Sequence, residues 1–171
     1  MKYLTEYIFC SKKLVSPLLE VREVFNAIEA VRWQPGKVEA ISRTGKNICW
    51  QEAYNRLFEL EFERIGGWQP QPVLSKKPYH KADFSKNDVM VEIQFGNSST
   101  IFRDYYKFHL GLMYRLLSLS ILILPTNQNE FFPSRNSKSS KNMATFEYAL
   151  EHFNALNIPV PILLIGLLPK N

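Results

Sequence analysis

The stretch Asp83–Asn97, DFSKNDVMVEIQFGN, decides how this chain is read. Val89, Val91, Ile93 and Phe95 alternate with Met90, Glu92 and Gln94, the period-two pattern of a strand with one side buried. Glu92 and Gln94 therefore share a face. Asp83 precedes the strand by a short connection, SKND, of turn-forming residue types, which puts it at the tip or on the neighbouring strand of a hairpin. Folding back brings Asp83 beside Glu92. Two carboxylates this close repel one another unless a divalent cation neutralises them, and their hard oxygens suit Mg²⁺ far better than Zn²⁺. A metal held there withdraws charge from a phosphate, acidifies a bound water and steadies a departing 3′ oxygen, so the pair points to phosphodiester hydrolysis. The competing reading is an ordinary amphipathic strand with Glu92 and Gln94 facing water. Asp88 is an alternative carboxylate, four residues before Glu92 and at the strand's edge.

Working outward, Leu18, Val21, Val24, Phe25, Ile28 and Val31 recur at helical spacing after Ser16-Pro17, a good start signal, and that helix ends near Pro35-Gly36. A second helix is expected from Trp50 to Ile65, with Ala53, Leu57 and Leu60 on its apolar face and Gly66-Gly67 as its stop. The proline-rich connector GWQPQPVLSKKPYHK reads as extended or looped, and Lys76, Lys77, His80, Lys81 and Lys86 form a basic run able to meet phosphates or to be a solvated charged loop. Downstream, Ser98-Ser99 can cap a helix from Thr100 to about Leu116 through Ile101, Tyr105, Phe108 and Leu112, with Arg103 and Lys107 on one side. Ser120 to Leu124 is apolar enough for a central strand covered on both faces. A polar loop follows from Pro125 to Lys141, anchored by Phe131 and Phe132. A last helix is expected over Asn142–Leu156 and a last buried strand over Ile162–Leu167.

At 171 residues and 46% hydrophobic content the chain suits one packed domain. The net charge of +5 favours a polyanionic partner. Cys10 and Cys49 lack zinc-site spacing and read as reduced, buried thiols. The start MKYLTEYIFCSKK has no signal-peptide core, and no apolar run approaches the roughly 20 residues that span a bilayer, so an intracellular soluble protein with no membrane partner is expected. His80, His109 and His152 are scattered, and neither a nucleophile elbow nor a phosphate-cradling P-loop is present.

DFSKNDVMVEIQFGN closely resembles the active-site segment of the BglII/BstYI family of type II restriction endonucleases, and SILILPT, FFPSRNSKSS, a helix and NIPVPILLIGL follow in that family's order. The resemblance spans roughly residues 75–168. It implies an α/β fold of the restriction-endonuclease-like PD-(D/E)XK kind, a central mixed sheet flanked by helices. It also implies a prokaryotic, cytoplasmic, homodimeric, Mg²⁺-dependent enzyme that cuts double-stranded DNA at a short palindrome, GATC-centred by default, with a cognate DNA methyltransferase as genetic partner.

By that resemblance Asp83 and Glu92 are metal ligands, and Gln94 stands where most of the superfamily has lysine, an oddity this family shares. A neutral amide cannot be a general base, so Gln94 is expected to position the attacking water. Asn97 matches a DNA-contacting residue, and Asn136 and Ser137 match a loop that reads base edges. Arg135 and Lys138 are expected to touch DNA too, and depart from the family's smaller or neutral residues. Arg103 and Lys107 would face phosphate. Gln69 and Gln71 lie near the distance of a further polar site residue, and Glu29 is a candidate helix-borne acid. The family's extra C-terminal subdomain is expected to be missing, leaving residues 1–171 as a single endonuclease domain. Two rivals share this fold: a DNA-binding protein without turnover, and a structure-specific nuclease of the resolvase kind.

Overall fold

The structure is a computed structural model that describes residues 1–76, 79–133, 141–156 and 159–171. Three strands form its centre: β8 (Val89–Ile93), β9 (Leu119–Pro125) and β10 (Ile162–Leu167), with β9 parallel to both neighbours. Every residue of the three is buried, which is why they read as nearly continuous apolar runs. Antiparallel strands extend the sheet on both sides. β1 (Tyr3–Ile8) pairs with β10, while β7 (Phe84–Lys86) and then β4 (Gln69–Pro70) lie beyond β8, giving the order β1-β10-β9-β8-β7-β4.

Helices cover both faces. On one, α2 (Leu19–Ala30) and α3 (Gln51–Ile65) bury Val21, Val24, Ile28, Tyr54, Phe58 and Phe62 against Val91, Ile93, Ile121 and Ile165. On the other, α4 (Thr100–Met113) and α6 (Phe146–Ala155) bury Ile101, Tyr105, Phe108, Ala149 and Phe153 against Met90, Leu122 and Leu164. Glu92 shares parity with Met90, so its side chain belongs to the α4 face, which is covered and not open to water as a one-sided strand would have it.

Several boundaries differ from expectation. A one-turn helix, α1 (Lys12–Val15), precedes Ser16-Pro17, and α2 starts at Leu19 and stops at Ala30, short of Pro35. On α3 the buried face runs through Tyr54, Phe58 and Phe62, and Leu60 is exposed, because aromatic rings bury more area than the leucines they displace. α3 does stop at Gly66 and Gly67, both with positive φ. The connector contains a hairpin, β5 (Val73–Lys76) with β6 (Tyr79–Lys81), and a second small hairpin joins β2 (Glu39–Ile41) to β3 (Asn47–Cys49). Ser99 makes no side-chain cap on α4; Asn97 does the work instead, its Oδ1 accepting the Ser99 N–H at 2.9 Å. α6 is shorter than expected and is capped by Thr145. Cys10 and Cys49 are free but half-buried. Among the described residues no helix is long and apolar enough to cross a membrane.

Phe131, at the end of the short α5 (Gln128–Phe131), and Phe132 are buried against Tyr54 and Phe95, with ring centroids 5.0–5.8 Å apart. They anchor the polar loop as expected. The same rings pin Phe95, so the end of β8 and the start of that loop are held by one aromatic cluster.

Candidate active site

β7 and β8 are joined by the two-residue turn Asn87-Asp88, in which Asn87 takes the positive φ of 51° that tight hairpins require. The register pairs Lys86 with Val89, Ser85 with Met90 and Phe84 with Val91. One step further along, it sets Asp83 opposite Glu92. Asp83 is held there by its Oδ2, which accepts the Ile93 N–H at 2.8 Å. Asp88 lies at the opposite end of the hairpin, exposed and accepting a hydrogen bond from the Ser118 hydroxyl, which removes it as a rival to Asp83.

Asp83, Glu92 and Gln94 line a common cavity of about 400 Å³. Its far wall is α4. From there Lys107 reaches in, only 5% exposed, with Nζ 2.6 Å from Glu92 Oε1 and 2.8 Å from Asp104 Oδ1. Asp104 is fully buried and accepts from Gln94 Nε2 at 2.5 Å, while Gln94 Oε1 accepts from the Gly96 N–H at 2.8 Å. One N–H and one lone pair of the Gln94 amide are left for a ligand.

Charge decides what this arrangement can hold. Within the buried cluster Asp83, Glu92 and Asp104 surround the single ammonium of Lys107, while Lys81 and the exposed Arg103 line the cavity farther out. Burial, and then the neighbouring Asp83, push Glu92 well above the ordinary carboxylate range despite Lys107. Asp83 is raised as well, chiefly by burial and against the pull of the Ile93 N–H. Glu92 Oε1 and Asp104 Oδ1 both have the Lys107 ammonium as their ion-pair partner. The carboxylate groups of Asp83 and Glu92 on the cavity wall are ligands that fit a hard cation. Among the described residues no three His, Cys, Asp or Glu side chains converge on one point. The protein would therefore offer two carboxylates and leave the rest of the shell to water and substrate oxygens, as suits Mg²⁺.

Other sequence-based candidates fall on either side of this cavity. Gln71 lines it and also an adjoining cavity of about 350 Å³, at a strained φ of 48°, whereas Gln69 is exposed in β4 and lines neither. Glu29 is misplaced as a supplementary acid: it sits beside Met1 and Tyr3, taking a hydrogen bond from the Tyr3 hydroxyl at 3.4 Å. The helix-borne acids near Asp83 are Glu52 and Glu59 of α3, which line the adjoining cavity with Asn55 and Arg56. Of the basic run, His80 and Lys81 reach the site, whereas Lys86 is paired with Glu23 at 2.8 Å; Lys77 lies outside the described residues.

Arg103 lines the cavity but is exposed. Asn97 is exposed just past the end of β8 and bridges to Met143, so it sits beside the return of the polar loop. Arg135, Asn136, Ser137 and Lys138 lie outside the described residues. Asp104 and Asn55 escaped the sequence reading. The signal for Asp104 was an acid three residues from Lys107 inside an apolar helical stripe, where charge has no place without a partner.

The fold itself has known counterparts. A crystal structure of restriction endonuclease BglII complexed with a DNA 16-mer superposes with a TM-score of 0.77 at 20% identity, over 98% of this chain and 77% of that one. Free BglII superposes with a TM-score of 0.67, also at 20% identity, over 98% of this chain and 79% of that one. No curated protein matches the sequence significantly. The sequence profile of the restriction endonuclease BglII/BglIII family matches residues 13–167. With the profile spanning nearly the whole sequence, the chain belongs to the BglII/BglIII family of restriction endonucleases.

Proposed function

We propose that this chain is a homodimeric, Mg²⁺-dependent restriction endonuclease that hydrolyses both strands of double-stranded DNA at a short palindrome centred on GATC. Residues 1–171 act as one endonuclease domain, and a cognate DNA methyltransferase protects host DNA. The observation that carries the reading is the cavity in which the hairpin brings the Asp83 and Glu92 carboxylates together on one wall.

Asp83 and Glu92 hold the metal. When bound, Mg²⁺ supplies Lewis acidity toward the scissile phosphate and toward a water molecule. The spare N–H and lone pair of Gln94 would orient that water; its oxygen bonds to phosphorus as the bond to the 3′ oxygen breaks, with the water's proton passing to solvent and the departing 3′ oxygen taking a proton from solvent. Gln94 is itself oriented by Asp104 and the Gly96 N–H. Asn136 and Ser137 read base edges, and Asn97, Arg135 and Lys138 contact the DNA around them.

Digestion of unmethylated plasmid with and without Mg²⁺, followed by sequencing of the ends, tests the reading. Discrete fragments that need Mg²⁺ and end within one GATC-centred palindrome are expected. Tight binding without cleavage would assign the chain to DNA binding alone, and cutting confined to branched DNA would make it a structure-specific nuclease.

A further inference from the structure

The strand that carries Glu92 brings no positive charge to the site, because Gln94 is neutral. Three cationic side chains among the described residues line the cavity, and they differ sharply in placement. Lys81 lies 3.4 Å from Gln71 Oε1 and over the Tyr79 ring, and Arg103 is exposed. Lys107 alone of the three is buried, and it alone touches Glu92.

We propose that Lys107 is a catalytic residue of this site: its ammonium, delivered from α4, binds a non-bridging oxygen of the scissile phosphate beside Glu92. This rests on the nuclease reading above. An ammonium has three N–H donors, and with Glu92 Oε1 and Asp104 Oδ1 as its two anionic neighbours it keeps donor capacity for an oxygen in the cavity that Lys107 lines with Asp83 and Glu92. Stability alone does not call for the arrangement. Lys107 and Asp104 cancel each other's charge, and a buried pair of this kind can be exchanged for apolar residues at little or no cost to the fold. What the pair adds is a cation fixed on the cavity wall. Asp104 serves as a positioning residue, since it holds Lys107 at 2.8 Å and Gln94 at 2.5 Å and so ties the cation to the amide that faces the water.

The test compares the full-length wild type with Lys107→Met in four readings: plasmid cleavage in Mg²⁺, Ca²⁺ binding by calorimetry, affinity for cleavable DNA in Ca²⁺, and thermal stability. Cleavage by Lys107→Met is expected to fall by about 100-fold or more, the usual loss when a donor to the developing charge is removed. Lys107→Met should still bind Ca²⁺, because Asp83 and Glu92 remain. Should Lys107→Met not fold, Lys107→Met combined with Asp104→Asn removes the pair as a unit and keeps an acceptor for Gln94; the same loss of cleavage is expected. Wild-type cleavage by either folded variant overturns the proposal. A wild type that neither binds Ca²⁺ nor cuts overturns the nuclease reading and this one with it, whereas a wild type that cuts beside an undiminished variant overturns this one alone.

Discussion

Glu92→Gln separates a carboxylate built for a cation from one that merely supports the fold. Glu92 is 3% exposed, and the forces on it oppose one another. Burial and the charges of Asp83 and Asp104 disfavour the ionised form, while Lys107 favours it. At 2.6 Å and an effective dielectric near 20 the attraction to Lys107 is about 6 kcal/mol gross. Desolvating a carboxylate costs several kcal/mol, and repulsion from two further acids adds to that. Because Glu92 is held well above its ordinary value of 4.5, the unfavourable side prevails.

The sign for stability follows. A carboxyl raised in the folded state contributes stability that is complete below its unfolded value and is lost as pH rises through its folded value. Metal-free wild type should therefore lose stability as pH climbs above about 4.5, and Glu92→Gln, which does not titrate, should not share that loss. Lys107 keeps Asp104 as its partner in the variant. A gain on the order of 2 kcal/mol is expected near pH 8, comparable with other replacements of buried charge by neutral groups. In a chain of this length that is roughly 4–8 °C in Tm. Thermal unfolding in EDTA, followed by circular dichroism across pH 4 to 8, reads it. A Glu92→Gln variant less stable than wild type near pH 8, or a difference that does not shrink toward pH 4, would refute the reasoning.

Further perturbations have equally definite outcomes. Raised Asp83 and Glu92 must lose protons before a cation can bind, so calorimetry in buffers of different ionisation enthalpy should show proton release on Ca²⁺ binding, with affinity weakening as pH falls through the range of the raised groups. In Gly96→Ala the added Cβ would stand 2.6 Å from Gln94 Oε1, the movable end of a side chain. Cleavage should drop by tenfold or more, on the order of 1.4 kcal/mol, with less than about 1 kcal/mol lost from unfolding. Asn136→Ala should weaken binding to the cleaved sequence by about 1–3 kcal/mol and leave non-specific binding nearly unchanged, as competition gel shifts would show. Phe132→Ala should cost about 3–5 kcal/mol in denaturant unfolding, because its ring is buried among Tyr54, Phe95 and Phe131.

What the sequence disclosed depended on how local each signal was. The β8, β9 and β10 runs and the Asp83–Glu92 hairpin were legible because periodicity, turn chemistry and burial all lie within a dozen residues. β1 was not, because its residues alternate exposed and half-buried at a sheet edge and its partner is far away in sequence, Tyr3 facing Leu167. The buried face of α3 was misread because Leu57 and Leu60 compete with larger aromatics at neighbouring positions, and only the packed core shows which side wins.

The site divides along the same line. Asp83 and Glu92 were legible through one hairpin, whereas the ties from Gln94 and Glu92 to Asp104 and Lys107 cross from the sheet to a helix. Helical spacing placed Lys107 on a side of α4 with Arg103, yet spacing cannot tell a buried ammonium from an exposed guanidinium. Glu29 failed as a site acid for the complementary reason, since an acid on an N-terminal helix was easy to name and its distance from Asp83 is a property of the fold alone.

Cleavage of unmethylated plasmid by Asp83→Asn and by Glu92→Gln, read beside their binding to the same DNA in Ca²⁺, bears most directly on the claim that these two acids hold the catalytic cation. Both variants should bind DNA and lose cutting by about 1,000-fold or more, since each removes one of the two carboxylates proposed to hold the cation. Undiminished cutting by either one would contradict it.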